Sequence, residues 1–139
     1  MKTTVLLRIA SVLTLIFCAG HTYGALLAPT REPQDAAVFM AMQTFRFRIM
    51  GAHRTHWEFY RGFGVLFSVT LALLAVLLWQ LGTMAKTDAV RTRPLLGSLF
   101  LGYLAFTVVS GTYFFFAPAA FSAAVAICIA LAFTAGSRS

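Results

Sequence analysis

Charged side chains are scarce in this chain: Lys, Arg, Asp and Glu together make up 11% of its 139 residues, while 60% are hydrophobic. A water-soluble domain carries about 25% charged residues to cover its core, so this composition excludes one and points to a chain solvated by lipid. Each bilayer crossing takes about 20 residues, and four crossings leave no length for a separate soluble domain. Cysteine is limited to Cys18 and Cys128. Both lie inside apolar runs, where they read as small packing residues and carry little information on redox compartment. Also missing are a Walker loop, Gly-x-Ser-x-Gly, Cys-x-x-Cys and the Rossmann glycine pattern, which removes the chemistries those motifs perform. Gly62-Phe63-Gly64 resembles a phosphate-loop fragment only superficially; within an apolar run it reads as a packing element.

What the sequence does contain is four long apolar runs, at about 5–27, 57–81, 95–116 and 117–134. They predict an all-α fold, a single-domain bundle of four transmembrane helices. The last two runs are separated only by Ala117-Pro118, and proline in a first helical turn marks a restart after a tight reversal, so these two form a hairpin. For the first run the alternative is a cleaved signal peptide, since Lys2 and Arg8 precede an apolar stretch ending in small residues. No clean small-x-small site follows and the run exceeds a usual h-region, which favours a retained span. Phe17 before Cys18, where a small residue is required, excludes lipoprotein acylation.

The stretch from Ala28 to His56 is the one with room for something else. Pro29-Thr30-Arg31-Glu32-Pro33 reads as a turn-rich break, with Asp35 as the cap of a helix starting just after it. Val38, Met42, Phe45 and Ile49 recur at helical spacing, predicting a short amphipathic interfacial helix over 36–50 that ends at Gly51. A basic helix beside lipid headgroups accounts for much of the +7 net charge without nucleic acid. Membrane lipids are the expected partners. Small residues at four-residue steps, Gly20 and Gly24, then Gly64, Ser68 and Ala72, then Ser98 and Gly102, and finally Ala120 and Ala124, predict close helix contacts within the chain. Gly20-x-x-x-Gly24 also admits a homo-oligomer or a membrane-protein partner.

An even number of spans places both termini on one side. Lys2, Arg8, Lys86, Arg91, Arg93 and Arg138 fall on that side, against Arg31, Arg46, Arg48, Arg54 and Arg61 on the other, so positive charge favours cytoplasmic termini. Tyr23, Trp57, Tyr60 and Tyr113 land together at the first-loop interface and Trp79 at the opposite one, as an aromatic belt requires.

Ionisable groups close to hydrocarbon are where chemistry is sought first. All three histidines fall at the first-loop end: His21 closes the first span, and His53, Arg54, His56, Glu58 and Arg61 open the second. In the plain reading, Arg54 with Glu58 and Glu58 with Arg61 neutralise each other at helical spacing, and His21 donates to a backbone carbonyl. The sharper reading makes the cluster a pocket for a lipid-like or quinone-like head group, with Glu58 or His21 transferring a proton and Arg61 or Arg54 holding an oxygen. His53-x-x-His56 alone lacks the ligand density of a metal site, and His21 with a second-span histidine is the arrangement a haem would need.

Gly20-His21-Thr22 and Arg54-Thr55-His56-Trp57-Glu58-Phe59-Tyr60-Arg61-Gly62-Phe63-Gly64 resemble a family of small uncharacterised four-helix bacterial inner-membrane proteins. The resemblance covers most of the chain and implies that fold and location, with no activity to transfer. Size and span number are more loosely similar to DoxX-like proteins and to sterol-isomerase-like bundles; the latter hold acidic residues inside the bundle, where this chain offers only Glu58. The expected function is a non-catalytic accessory or structural subunit. The alternative is a ligand-binding or catalytic bundle with its polar site at the first-loop end.

Overall fold

The computed structural model describes residues 2–28 and 32–135. Along them run α1 (Lys2–Thr22), a π-helical turn (Tyr23–Leu27), α2 (Pro33–Thr44), β1 (Arg46–Ile49), β2 (Ala52–Thr55), α3 (His56–Met84), α4 (Ala89–Tyr113) and α5 (Phe116–Ala135). The stretches Lys2–Leu27, His56–Met84, Ala89–Tyr113 and Phe116–Ala135 are each long and apolar enough to cross a membrane. A helix satisfies its own backbone polar groups, which hydrocarbon demands. The chain is an all-α, multi-pass membrane protein, with one small hairpin as its exception.

The spans overrun the apolar runs where polar residues supply a start signal. Helix α4 begins at Ala89, well before the first apolar run residue Leu95, because Asp88 caps it: its Oδ1 accepts from the Arg91 N–H at 3.0 Å. Helix α5 begins at Phe116 after a two-residue reversal, with Pro118 in its first turn, as expected.

The first loop differs from expectation. The Pro29-Thr30-Arg31 break lies outside the described residues. Helix α2 starts earlier than Asp35, with Pro33 at its first position and Asp35 inside the first turn, and it ends at Thr44. The expected helix over 36–50 therefore does not exist as one element. Residues Arg46–Ile49 and Ala52–Thr55 pair as an antiparallel hairpin, Arg46 opposite Thr55 and Ile49 opposite Ala52. Met50 and Gly51, both at positive φ (48° and 86°), make its two-residue turn. That backbone matches the twist of the flanking strands, so Gly51 turns a hairpin instead of ending a helix.

Two compact units make up the chain, one of Met1–Cys18 with Leu71–Ser139 and one of Ala19–Thr70. The core of the first is built from Leu7 and Ala10 of α1, Leu78 and Leu81 of α3, Leu96 and Tyr103 of α4, and Val125, Ala126, Ile129 and Ala132 of α5. The backbones of α1 and α3 approach closely at Gly82, where an added Cβ would lie 3.4 Å from both the Leu7 Cβ and the Thr4 carbonyl oxygen. The Ser11 hydroxyl donates to the Ala75 carbonyl at 2.7 Å across the same pair. Thr14 donates to the Ala10 carbonyl at 2.8 Å and lies 2.8 Å from the Tyr103 hydroxyl. A threonine has one proton, so Tyr103 must be the donor of that second bond. Of the glycines expected to make close contacts, Gly64 in the second unit does so, whereas Gly20, Gly24 and Gly102 have open space where a Cβ would go; Gly82 makes a close contact that was not expected.

Candidate functional site

All six residues singled out at the first-loop end belong to the Ala19–Thr70 unit. The structure engages them in several local contacts. Thr55 and Glu58 form a reciprocal cap at the start of α3: the Thr55 N–H donates to Glu58 Oε2 at 2.7 Å, and the Glu58 N–H donates to Thr55 Oγ1 at 3.1 Å. This arrangement satisfies two of the donors that a helix start leaves open. The expected ion pairs of Glu58 with Arg54 and Arg61 are not formed; among the described residues the ion pair is Arg91 with Asp88, at 3.6 Å. Arg54 turns back to donate to the His53 carbonyl at 3.1 Å, and the Arg61 guanidinium lies 5.9 Å from the Trp57 ring centroid. A backbone N–H offers Glu58 a fixed, short-range partner at no rotamer cost to a long arginine, which is why the cap prevails over exposed pairs.

His53 is exposed on β2. His56, the first residue of α3, places its ring 4.9 Å from Phe47 of β1, and Phe47 also meets Phe59 at 5.2 Å. Trp57 is flanked by Phe39 of α2 at 5.0 Å and by Tyr60 at 5.6 Å. An aromatic cluster thus fastens α2 and the hairpin to the entrance of α3.

His21 is elsewhere. Its Nε2 donates to the Gly64 carbonyl at 3.1 Å, and its ring meets Phe67 edge-on at 4.8 Å. Next to it, the Thr22 and Ser68 hydroxyls are 2.9 Å apart. The same glycine leaves room for the π-helical turn: an added Cβ would come 3.1 Å from Leu26 Cδ2. Glu58 precedes Gly64 by six residues, roughly 9 Å along a helix axis, so His21 and Glu58 occupy different levels. Among the described residues, no three His, Cys, Asp or Glu side chains come together as a metal would require.

The cap yields a stability prediction. Glu58→Ala is expected to lower the melting temperature, at a loss of about 1 kcal/mol, while Glu58→Gln, whose amide oxygen can still accept, stays within about half of that. Thermal unfolding of the detergent-solubilised protein measures both. Equal losses would mean that the carboxylate charge, not the hydrogen bond, is what matters.

Two arginines of the other unit carry features the sequence reading passed over. Arg8, near the start of the first apolar run, has its guanidinium carbon 4.7 Å from the Trp79 ring centroid, and Arg93 lies 4.6 Å from that of Phe133. The Nε of each is buried without a hydrogen-bond partner. The available signal was a charge interrupting an apolar run; its aromatic partner, far away in sequence, was not visible there. Compared with protein-family models, with curated proteins and with solved structures, the chain matches none.

Proposed function

We propose that the chain is a non-catalytic accessory or structural subunit of a bacterial inner membrane, with both termini on the cytoplasmic side. The observation that carries this reading is the engagement of the would-be acid–base groups. Glu58 holds a helix start, and His21 holds one helix to the backbone of another. A proton carrier must be free to meet a substrate, and both groups are committed to protein backbone at different depths. The first-loop elements present an exposed mixture of apolar and basic side chains, Val38, Met40, Phe45 and Ile49 with Arg46 and Arg48, and Met50 at the hairpin tip. Such a surface suits contact with lipid headgroups or a membrane-embedded partner.

The test compares wild type, His21→Ala and Glu58→Ala, each purified in detergent, by mass spectrometry and absorption spectroscopy. The expected result is the same small-molecule content in all three. A quinone-like molecule or lipid lost in both variants, or a haem band lost with His21, would replace this reading by a ligand-binding or catalytic bundle. For orientation, a compartment-sensitive reporter fused after Ser139 should report the cytoplasm; a periplasmic signal overturns that part.

A further inference from the structure

The hairpin of the Ala19–Thr70 unit has two outer edges, and its register says which backbone groups each one offers. Met50 and Gly51 both have positive φ, the mark of a two-residue type I′ turn, which closes on a hydrogen-bonded pair, here Ile49 with Ala52. Bonded and non-bonded pairs alternate from there. Phe47 and Arg54 therefore bond inward, while Arg46, Arg48, His53 and Thr55 turn their N–H and C=O groups outward. The cap of α3 agrees: the Thr55 N–H leaves the ladder for Glu58 Oε2 at 2.7 Å. The outward His53 carbonyl is taken too, by the Arg54 guanidinium at 3.1 Å. On β1, by contrast, no hydrogen bond or ion pair among the described residues engages the outward backbone groups or the side chains of Arg46 and Arg48. The open edge is β1.

Its side chains define what fits there. Residues paired across the ladder share a face, so Arg46, Arg48 and His53 lie on one side and Phe47 and Ile49 on the other. Phe47 packs against His56 and Phe59, which turns the arginine side away from the first turn of α3. Arg46 and Arg48 are exposed. Of the carboxylates in this unit, Glu58 is committed to the cap, and neither Glu32 nor Asp35 forms an ion pair among the described residues. A second copy of the chain is a poor occupant: outward-bonding residues pair only with each other, so β1 on β1 would set arginine opposite arginine. A strand with acidic residues opposite Arg46 and Arg48, and apolar ones beside Phe47 and the exposed Ile49, suits both faces.

We propose that β1 is a docking edge for an extended segment of a partner protein in which acidic and apolar residues alternate, added antiparallel as a third strand. This rests on the accessory reading above and names the chemistry of the partner. In that ladder the acidic residues are the ones that exchange both hydrogen bonds with Arg46 and Arg48. Backbone bonds hold the segment, and charge selects it.

The probe is a fluorescein-labelled peptide of alternating glutamate and valine, titrated by anisotropy against the full chain in phosphatidylcholine nanodiscs. Saturable binding is expected, with none of the lysine–valine counterpart. Methylating the glutamate amide nitrogens should abolish binding, since those N–H groups face β1, whereas methylating the valine nitrogens should leave it. Arg46→Gln with Arg48→Gln should weaken binding about tenfold, roughly threefold for each cross-strand charge pair. Lys86→Gln with Arg91→Gln, in the other unit, removes as much charge and should leave binding unchanged. Arg46→Glu with Arg48→Glu should take up the lysine peptide instead, which shows that the hairpin still folds. Absent binding, equal effects of the two methylations, or indifference to the loss of Arg46 and Arg48 overturns the proposal. So does binding that disappears once phosphatidylglycerol is mixed into the nanodisc, which would give the edge to lipid headgroups. The accessory reading is judged separately, by the small-molecule content of His21→Ala and Glu58→Ala, so its failure and that of the docking edge are told apart.

Discussion

Leu78→Ala is expected to destabilise the protein by roughly 2 kcal/mol, while the same substitution at the neighbouring Leu77 changes stability by about 0.5 kcal/mol or less. Leu78 is fully buried in the core formed by α1, α3, α4 and α5, and Leu77 is 38% exposed. In lipid, transferring a leucine from the protein interior to its surroundings gains or loses little, because hydrocarbon is as apolar as the core. What remains is the cavity. A void on the order of 100 Å³, at about 24 cal/mol per Å³, gives the figure for Leu78. Thermal unfolding in a mild detergent separates the two variants. Similar losses at both positions would mean that α3 is rotated about its axis relative to this packing.

The second large effect concerns a polar chain threaded through that core. Thr14→Val is expected to lower stability by about 1–2 kcal/mol, and Tyr103→Phe by about 0.5 kcal/mol. The difference follows from the direction of the bonds. Thr14 donates to the Ala10 carbonyl and accepts from Tyr103, so valine strands the hydroxyl of a tyrosine that is 1% exposed. Phenylalanine at 103 leaves the threonine bonded to its own helix. The double variant should accordingly be more stable than Thr14→Val alone, since no donor is then left over. If Tyr103→Phe proves the more damaging of the two, the proton between the hydroxyls runs the other way.

The spans were legible because hydrocarbon imposes one rule on every residue within it, and a run such as 57–81 obeys that rule without reference to any partner. The first loop was not, and the reason lies in residues 45–49. Val38, Met42, Phe45 and Ile49 fit a helical repeat, but Phe45, Phe47 and Ile49 alternate with Arg46 and Arg48 just as well at the strand period. The turn at Met50-Gly51 decides between them, and Met50 gives little warning of a positive φ. The Thr55-x-x-Glu58 cap was readable, since a hydroxyl followed three residues later by a glutamate ahead of an apolar run is its signature. The arginines around it suggested ion pairs instead. The expected hydrogen bond from His21 to a backbone carbonyl is present, but which carbonyl receives it depends on how α1 meets α3, and the partner, Gly64, offers nothing but its backbone. Arg8 and Trp79 are likewise brought together only by helix pairing.

The two capping carboxylates also fix depth. Glu58 stands at the start of α3 and Asp88 at the start of α4, and consecutive spans are entered from opposite sides of the membrane. Sliding α3 forward along its axis would draw Glu58 toward hydrocarbon, and sliding α4 forward would do the same to Asp88. At full depth such a charge costs about 2.5–3.5 kcal/mol. Each acid also holds the first turn of its helix, so it cannot swing out of the way without unwinding that turn. The pair acts as opposed axial stops: these two spans can tilt or rotate, but a piston stroke of either one meets an electrostatic barrier.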